Sequence, residues 1–312
     1  MLKQWKLPIS ALPGGLVGLA VAQGTSVAQG TYQPILRNCP PCLSVVNAFV
    51  RADVDPAGRW VEGTTGGDPD TALDDDKRLL YGFNATSGSH IGTGFTTVRV
   101  TASGFMTDFI ASDAVTQHAV SDTGVCPPNC SGACPPECNE VVTGWEVDYP
   151  SGTVRITETL AAALNPFSGR PDVILASYEV HNLGSGTPDV GLRALLDVRI
   201  HENDGAPYMI PGVGALTRER RFTSADMPSF WLAFESPQFE PDQLRAVGIL
   251  DSQDIDPPDE FVVGRWGQMQ FTRWNYPVDP AAAVTSDSAV ALYWLPEPLG
   301  PDERRTYQTE YG

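Results

Sequence analysis

Residues 190–201 constrain this chain more than any other stretch. Val190, Leu192, Ala194, Leu196, Val198 and Ile200 alternate with Gly191, Arg193, Leu195, Asp197, Arg199 and His201. Successive side chains of an extended chain point to opposite faces, so a period of two held over twelve residues specifies a strand with one face in a core. The strand is expected to be half-buried. Its second face gathers Arg193, Asp197, Arg199 and His201.

The rest of the sequence reads in the same way. Strands are expected at 44–54, 79–83, 96–101, 104–110, 141–149, 153–163 and 173–182, and again at 230–235, 244–250, 261–264, 268–273, 289–294 and 305–311. Pro150-Ser151-Gly152 separates two of these runs and predicts a hairpin. Helical periodicity is nearly missing; only 157–164 and 224–227 have room for a turn or two. The 30 glycines and 27 prolines fit many short elements joined by turns. The hydrophobic share of 42% is enough for a full core. These features predict an all-β fold, a large antiparallel β-sandwich with a Cys/Pro-rich loop insertion at about 121–139. With no linker and no fixed-period repeat, residues 29–312 read as one domain.

Charge narrows the partners. The chain has 38 acidic and 20 basic residues, for a net charge of -18. Such a surface repels phosphate backbones, which argues against nucleic-acid binding. At the N-terminus, Lys3 and Lys6 precede an apolar stretch at 7–22, followed by the small-residue patterns Ala20-Val21-Ala22 and Ser26-Val27-Ala28. This is the layout of a secretory signal peptide, expected to span residues 1–28. No later run approaches the roughly 18 apolar residues of a membrane helix, so no span is expected in the mature chain. The expected location is secreted or cell-surface.

Six cysteines fall in two clusters, Cys39 and Cys42, and then Cys126, Cys130, Cys134 and Cys138. An even count in an exported chain favours disulfides. Spacing leaves their connectivity open. A redox CxxC needs the first cysteine at a helix N-terminus, whereas Pro40 and Pro41 sit in coil. A zinc site is the other alternative for the second cluster, but its spacing departs from the usual Cys-x2-Cys pairs. Leu43 follows Cys42 where c-type haem attachment needs His, so no haem is expected. Nor is a nucleotide, since neither a P-loop nor a GxGxxG before a helix occurs.

Several segments carry a resemblance. They are Gly63-Thr64-Thr65-Gly66-Gly67-Asp68-Pro69, Lys77-Arg78-Leu79-Leu80-Tyr81-Gly82, Phe95-Thr96-Thr97-Val98-Arg99-Val100, Asn203-Asp204-Gly205-Ala206-Pro207-Tyr208 and Asp287-Ser288-Ala289-Val290-Ala291-Leu292-Tyr293-Trp294. Together they resemble a family of exported bacterial β-domains to which no activity is attached. Tyr178-Glu179-Val180-His181-Asn182-Leu183-Gly184 and Leu299-Gly300-Pro301-Asp302-Glu303 resemble galactose-mutarotase-type super-sandwiches. That likeness implies a super-sandwich and, because such folds often handle sugars, a carbohydrate role. No mutarotase catalytic His or Glu is placed by motif.

Two acidic constellations stand out. Asp197 on the polar face of its strand, with Asn203 and Asp204 in the turn that follows, offers the hard oxygen donors that Ca²⁺ takes. The plainer alternative is turn chemistry, with Asp197 paired to Arg193 or Arg199. Asp74 and Asp76, in the run that begins at Asp68, form the second candidate; a solvated loop is the alternative, and the EF-hand pattern is missing. No GxSxG, HExxH or other catalytic motif appears, and the chain is therefore not expected to be an enzyme. The sequence thus predicts a secreted structural or cell-surface protein, disulfide-bonded, calcium-stabilised, and partnered by copies of itself in a layer or filament. The alternative is a carbohydrate-binding or carbohydrate-active sandwich whose partners are surface glycans, with an exposed Trp or Tyr beside carboxylates.

Overall fold

The structure, a computed structural model, describes residues 44–54, 58–66, 74–84, 92–110, 140–240 and 243–312. The expected signal peptide, all six cysteines and the Cys/Pro-rich loop lie outside these residues. The strands in chain order are β1 (Ser44–Val46), β2 (Val50–Val54), β3 (Trp60–Thr64), β4 (Phe95–Ala102), β5 (Phe105–Ile110), β6 (Glu140–Tyr149), β7 (Gly152–Ala163), β8 (Val173–Asn182) and β9 (Asp189–Val198). They continue with β10 (Tyr208–Ile210), β11 (Gly214–Leu216), β12 (Arg220–Thr223), β13 (Phe230–Phe234), β14 (Arg245–Ile249), β15 (Glu260–Arg265), β16 (Ser288–Pro298) and β17 (Arg304–Tyr311), with a single helical turn, α1 (Trp266–Met269), after β15.

The chain is nearly all β, as its alternation requires. An eight-stranded antiparallel sheet, in the order β11-β10-β13-β14-β17-β8-β7-β6, faces a six-stranded one, β12-β15-β16-β9-β4-β5. A three-stranded sheet, β1-β2-β3, adds Val50, Val54 and Trp60 to the shared core. Aromatic side chains bridge the two large sheets. Trp231 of β13 stacks on Phe261 of β15 with ring centroids 5.9 Å apart, and Tyr178 of β8 meets Trp294 of β16 at 6.5 Å. The expected hairpin forms with Pro150 and Ser151 as its two-residue loop, Tyr149 pairing with Gly152. Among the described residues, no helix is long and apolar enough to cross a membrane.

Asn182 shows what the mutarotase-like segments do. It is fully buried at the end of β8. Its Nδ2 donates to the carbonyls of Gly186, Leu299 and Gly300 at 2.8, 2.9 and 3.1 Å. Its Oδ1 accepts from the Tyr149 hydroxyl at 2.8 Å and from the Gly184 amide at 2.9 Å. One side chain thus ties together the β6–β7 hairpin, the 183–186 turn and the 299–303 turn. The two segments are joined for architecture, because a buried amide must satisfy every donor and acceptor it has.

Three expectations need correction. The strand 190–201 ends as a regular strand at Val198, and its polar face is covered: Arg193 is 0% exposed and Asp197 1%. The covering segment is 265–287, whose Met269, Trp274 and Tyr276 form a second core with Leu195 and Tyr293. Residues 268–273, expected to be a strand, are α1 and the turn after it. The terminal carbonyls of a helical turn lack intrahelical donors, and Arg193 supplies them, to Thr272 O at 2.5 Å and to Met269 O at 2.9 Å. Residues 79–83 make isolated bridges and turns, not a strand. The short strands β3, β10, β11 and β12 have no counterpart in the expectation.

Candidate functional site

Asp197 projects from β9 beneath this cover. Its cross-strand partner on β16 is Ala289, whose side chain is only a methyl group. Asp287 stands just before β16, and Asp204 in the turn after β9. One oxygen from each of the three carboxylates lies within 4.8 Å of the other two. The turn is made by Asn203. Its Oδ1 accepts from the Gly205 amide at 3.1 Å and its Nδ2 donates to Glu235 O at 2.8 Å. Gly205 is required there, since a Cβ would meet the Thr285 carbonyl at 2.2 Å.

Neither arginine named by the sequence pairs with Asp197. Arg193 is engaged with carbonyls on the cover. Arg199 donates to His201 O at 3.2 Å and to Glu202 at 2.8 Å, its guanidinium 5.2 Å from the Tyr81 ring centre. Asp197 therefore has no hydrogen-bond donor among the described residues, and its Oδ1 is buried and unsatisfied. Burial, then the charges of Asp204 and Asp287, push its carboxyl up to about 8, against a smaller opposing effect from Arg199. Asp204 and Asp287 are raised too, first by burial. Trp266, half-buried, borders the cluster: its amide bonds Asp287 O at 3.4 Å and its ring packs edge-on to Phe95.

The sequence found Asp197 and Asp204 but not Asp287. The structure does not bring Asp74 and Asp76 to this cluster. Asp76 is exposed in a turn at φ 54°, and the Asp74 carbonyl accepts from Thr64.

Asp74 belongs to a different feature, a groove of about 1130 Å³ over the outer face of the eight-stranded sheet. Its floor is Phe230 and Leu232 of β13 and Val247 of β14, the side of these strands opposite the shared core. Phe167 stands at its lip, 59% exposed, with its ring centre 4.5 Å from that of Phe230. Asp172, Lys77, His201 and Gln243 contribute polar groups. Close to this site lies Glu62 of β3, fully buried, with neither carboxylate oxygen hydrogen-bonded among the described residues. Burial, and secondarily the Asp172 charge, raise its pKa well above the ordinary carboxylate value.

The expected exposed Trp or Tyr beside carboxylates is not what lines the groove, where the aromatic groups are phenylalanines. Of the tryptophans among the described residues, Trp60, Trp145, Trp231, Trp274 and Trp294 are buried and only Trp266 is half-buried.

No family model matches the chain, and no curated protein does. Solved structures do. The Slr1438 protein from Synechocystis sp. PCC 6803 is 9% identical, with a TM-score of 0.44 over 90% of this chain and 96% of its own. A galactose mutarotase-like protein from Lactobacillus casei is 9% identical, with a TM-score of 0.49 over 86% and 98%. A candidate aldose 1-epimerase from Escherichia coli K12 is 12% identical, with a TM-score of 0.46 over 86% and 97%. These are likenesses of architecture. They agree with the super-sandwich resemblance and add nothing to the resemblance to exported β-domains.

The expectation that the chain is not an enzyme is withdrawn, since it rested only on the lack of a linear motif. That was a weak ground. Sites on a sheet are assembled from strands far apart in sequence, so no local pattern need announce them.

Proposed function

We infer that this chain recognises a saccharide in the groove over the outer face of its eight-stranded sheet. The observation that carries the reading is Phe167. An apolar ring left 59% exposed, and braced from behind by Phe230, offers a fixed face at the mouth of a cavity. Aromatic faces beside a few placed polar groups are the usual make-up of a small-molecule site. Here Asp172, Lys77, His201 and Gln243 supply carboxylate, ammonium, imidazole and amide groups for hydroxyls. Export, read from the N-terminal pattern, belongs to the same proposal, since it would set the groove among extracellular glycans.

The test is a glycan array, followed by calorimetry on any hit and polarimetry for anomer interconversion of free sugars. Phe167→Ala is expected to weaken binding about tenfold or more, the usual effect of removing an aromatic anchor, with stability unchanged. A chain that binds no glycan and turns over no sugar would overturn the reading. So would a Phe167→Ala variant with unchanged affinity.

A further inference from the structure

The geometry points to a calcium site built from Asp197, Asp204 and Asp287. This assignment does not rest on the groove or on any sugar. Three observations carry it. The first is the three carboxylate oxygens within 4.8 Å of one another. With calcium–oxygen bonds of about 2.3–2.6 Å, two ligands of one ion lie at most roughly twice that far apart, so the three oxygens are near enough to share an ion. The second is Asp197 itself. It is 1% exposed, receives no hydrogen bond among the described residues, and has an oxygen sealed from solvent. A buried anion without a donor is costly, and protein structures tolerate one where a cation or a proton neutralises it. The third is the direction of the neighbouring cation. Arg199 donates its hydrogen bonds to His201 O and Glu202 and none to the three carboxylates, while its charge acts on Asp197 and Asp204.

The site also has a way in. Asp204 and Asp287 are only partly buried, so an ion would reach Asp197 past them and keep waters on its outer side. All donors are hard oxygens, with no Cys or His among them, which selects against zinc and copper. Asp287 reaches the site because β16 pairs with β9, Ala289 opposite Asp197.

The experiment uses the full-length chain stripped with EDTA. Ca²⁺ is titrated by calorimetry and by thermal unfolding, with Mg²⁺ in parallel, up to about 10 mM, well above the Kd of weak extracellular calcium modules. Saturable Ca²⁺ binding at one site is expected, with a raised Tm. Asp287→Asn and Asp204→Asn should each weaken binding at least tenfold. In the stripped state, at a pH above about 8 where Asp197 too is charged, both should unfold at a higher temperature than the parent, because one of three repelling charges is gone. That opposite movement of apo stability and calcium response separates a site from a merely structural cluster. Exposed Asp148→Asn, remote on β6, should change neither. No calcium response, a response to Mg²⁺ alone, or an Asp287→Asn variant that binds like the parent would overturn the assignment.

Discussion

Glu62 gives the sharpest test of the interior. It sits on β3 with both oxygens unsatisfied among the described residues, and burial raises its pKa well above the usual value of 4.5. The native chain therefore holds a proton on Glu62 over a pH range in which the unfolded chain has released it. Where the native state binds the extra proton, stability falls as pH rises. The contribution is fully present below about pH 4.3, where both states are protonated. It is lost as pH climbs to the raised native pKa, at about 1.4 kcal/mol per pH unit, and the loss then levels off.

Glu62→Gln keeps the shape and removes the proton equilibrium. The quantity to measure is the difference in unfolding free energy, parent minus variant, from urea denaturation at several pH values from about 5 to 8. Contributions from Asp197, Asp204 and Asp287 are common to both proteins and cancel. The difference should fall with pH at close to 1.4 kcal/mol per unit until it flattens. Parallel pH profiles for the two proteins would refute the argument, because they would mean that Glu62 is ionised in the folded state and has a partner.

Two further substitutions probe the core. Gly248 lies opposite Trp231 across β13 and β14, and a Cβ there would come within 2.1 Å of the indole. That indole is held between Phe261 and Tyr311, so Gly248→Ala is expected to cost about 1–3 kcal/mol in urea unfolding. Adding Trp231→Leu should recover part of the loss, and strictly additive effects would rule out the clash. Asn182→Ala removes the donor to the carbonyls of Gly186, Leu299 and Gly300 and leaves the Tyr149 hydroxyl only Gly186 O, at 3.2 Å. A loss of about 3–5 kcal/mol is expected by the same measurement, and one below about 1 kcal/mol would contradict the clamp.

Periodicity made the strands legible where one face met the core and the other met water. It misled where both faces were covered. On β9, Arg193 and Asp197 looked solvent-facing because they are charged, yet the 265–287 segment closes over them. That cover is itself hard to read, since its backbone is satisfied by a guanidinium more than seventy residues away along the chain. β3 escaped notice because its central residue, Glu62, is a carboxylate in a core. Asp197 and Asp204 are neighbours in sequence and were readable as a pair. Asp287 joins them only through strand pairing, and the groove's walls come from segments scattered between Phe49 and Gly312. Neither is a local property of the chain.

The place of β17 has a consequence for how this molecule comes together. In the eight-stranded sheet, β14 and β8 are not neighbours; β17 lies between them and pairs with both. Until residues 304–311 insert, the sheet exists as two fragments, each with an unpaired rim of amides and carbonyls of the kind that recruits other chains. The long-range pairing that seals them is entropically expensive to reach and slow to form. A chain arrested before that insertion would present two such rims at once. The hazard in assembling this fold is thus concentrated in the interval before one strand arrives, and holding the chain extended until then would be the way to lower it.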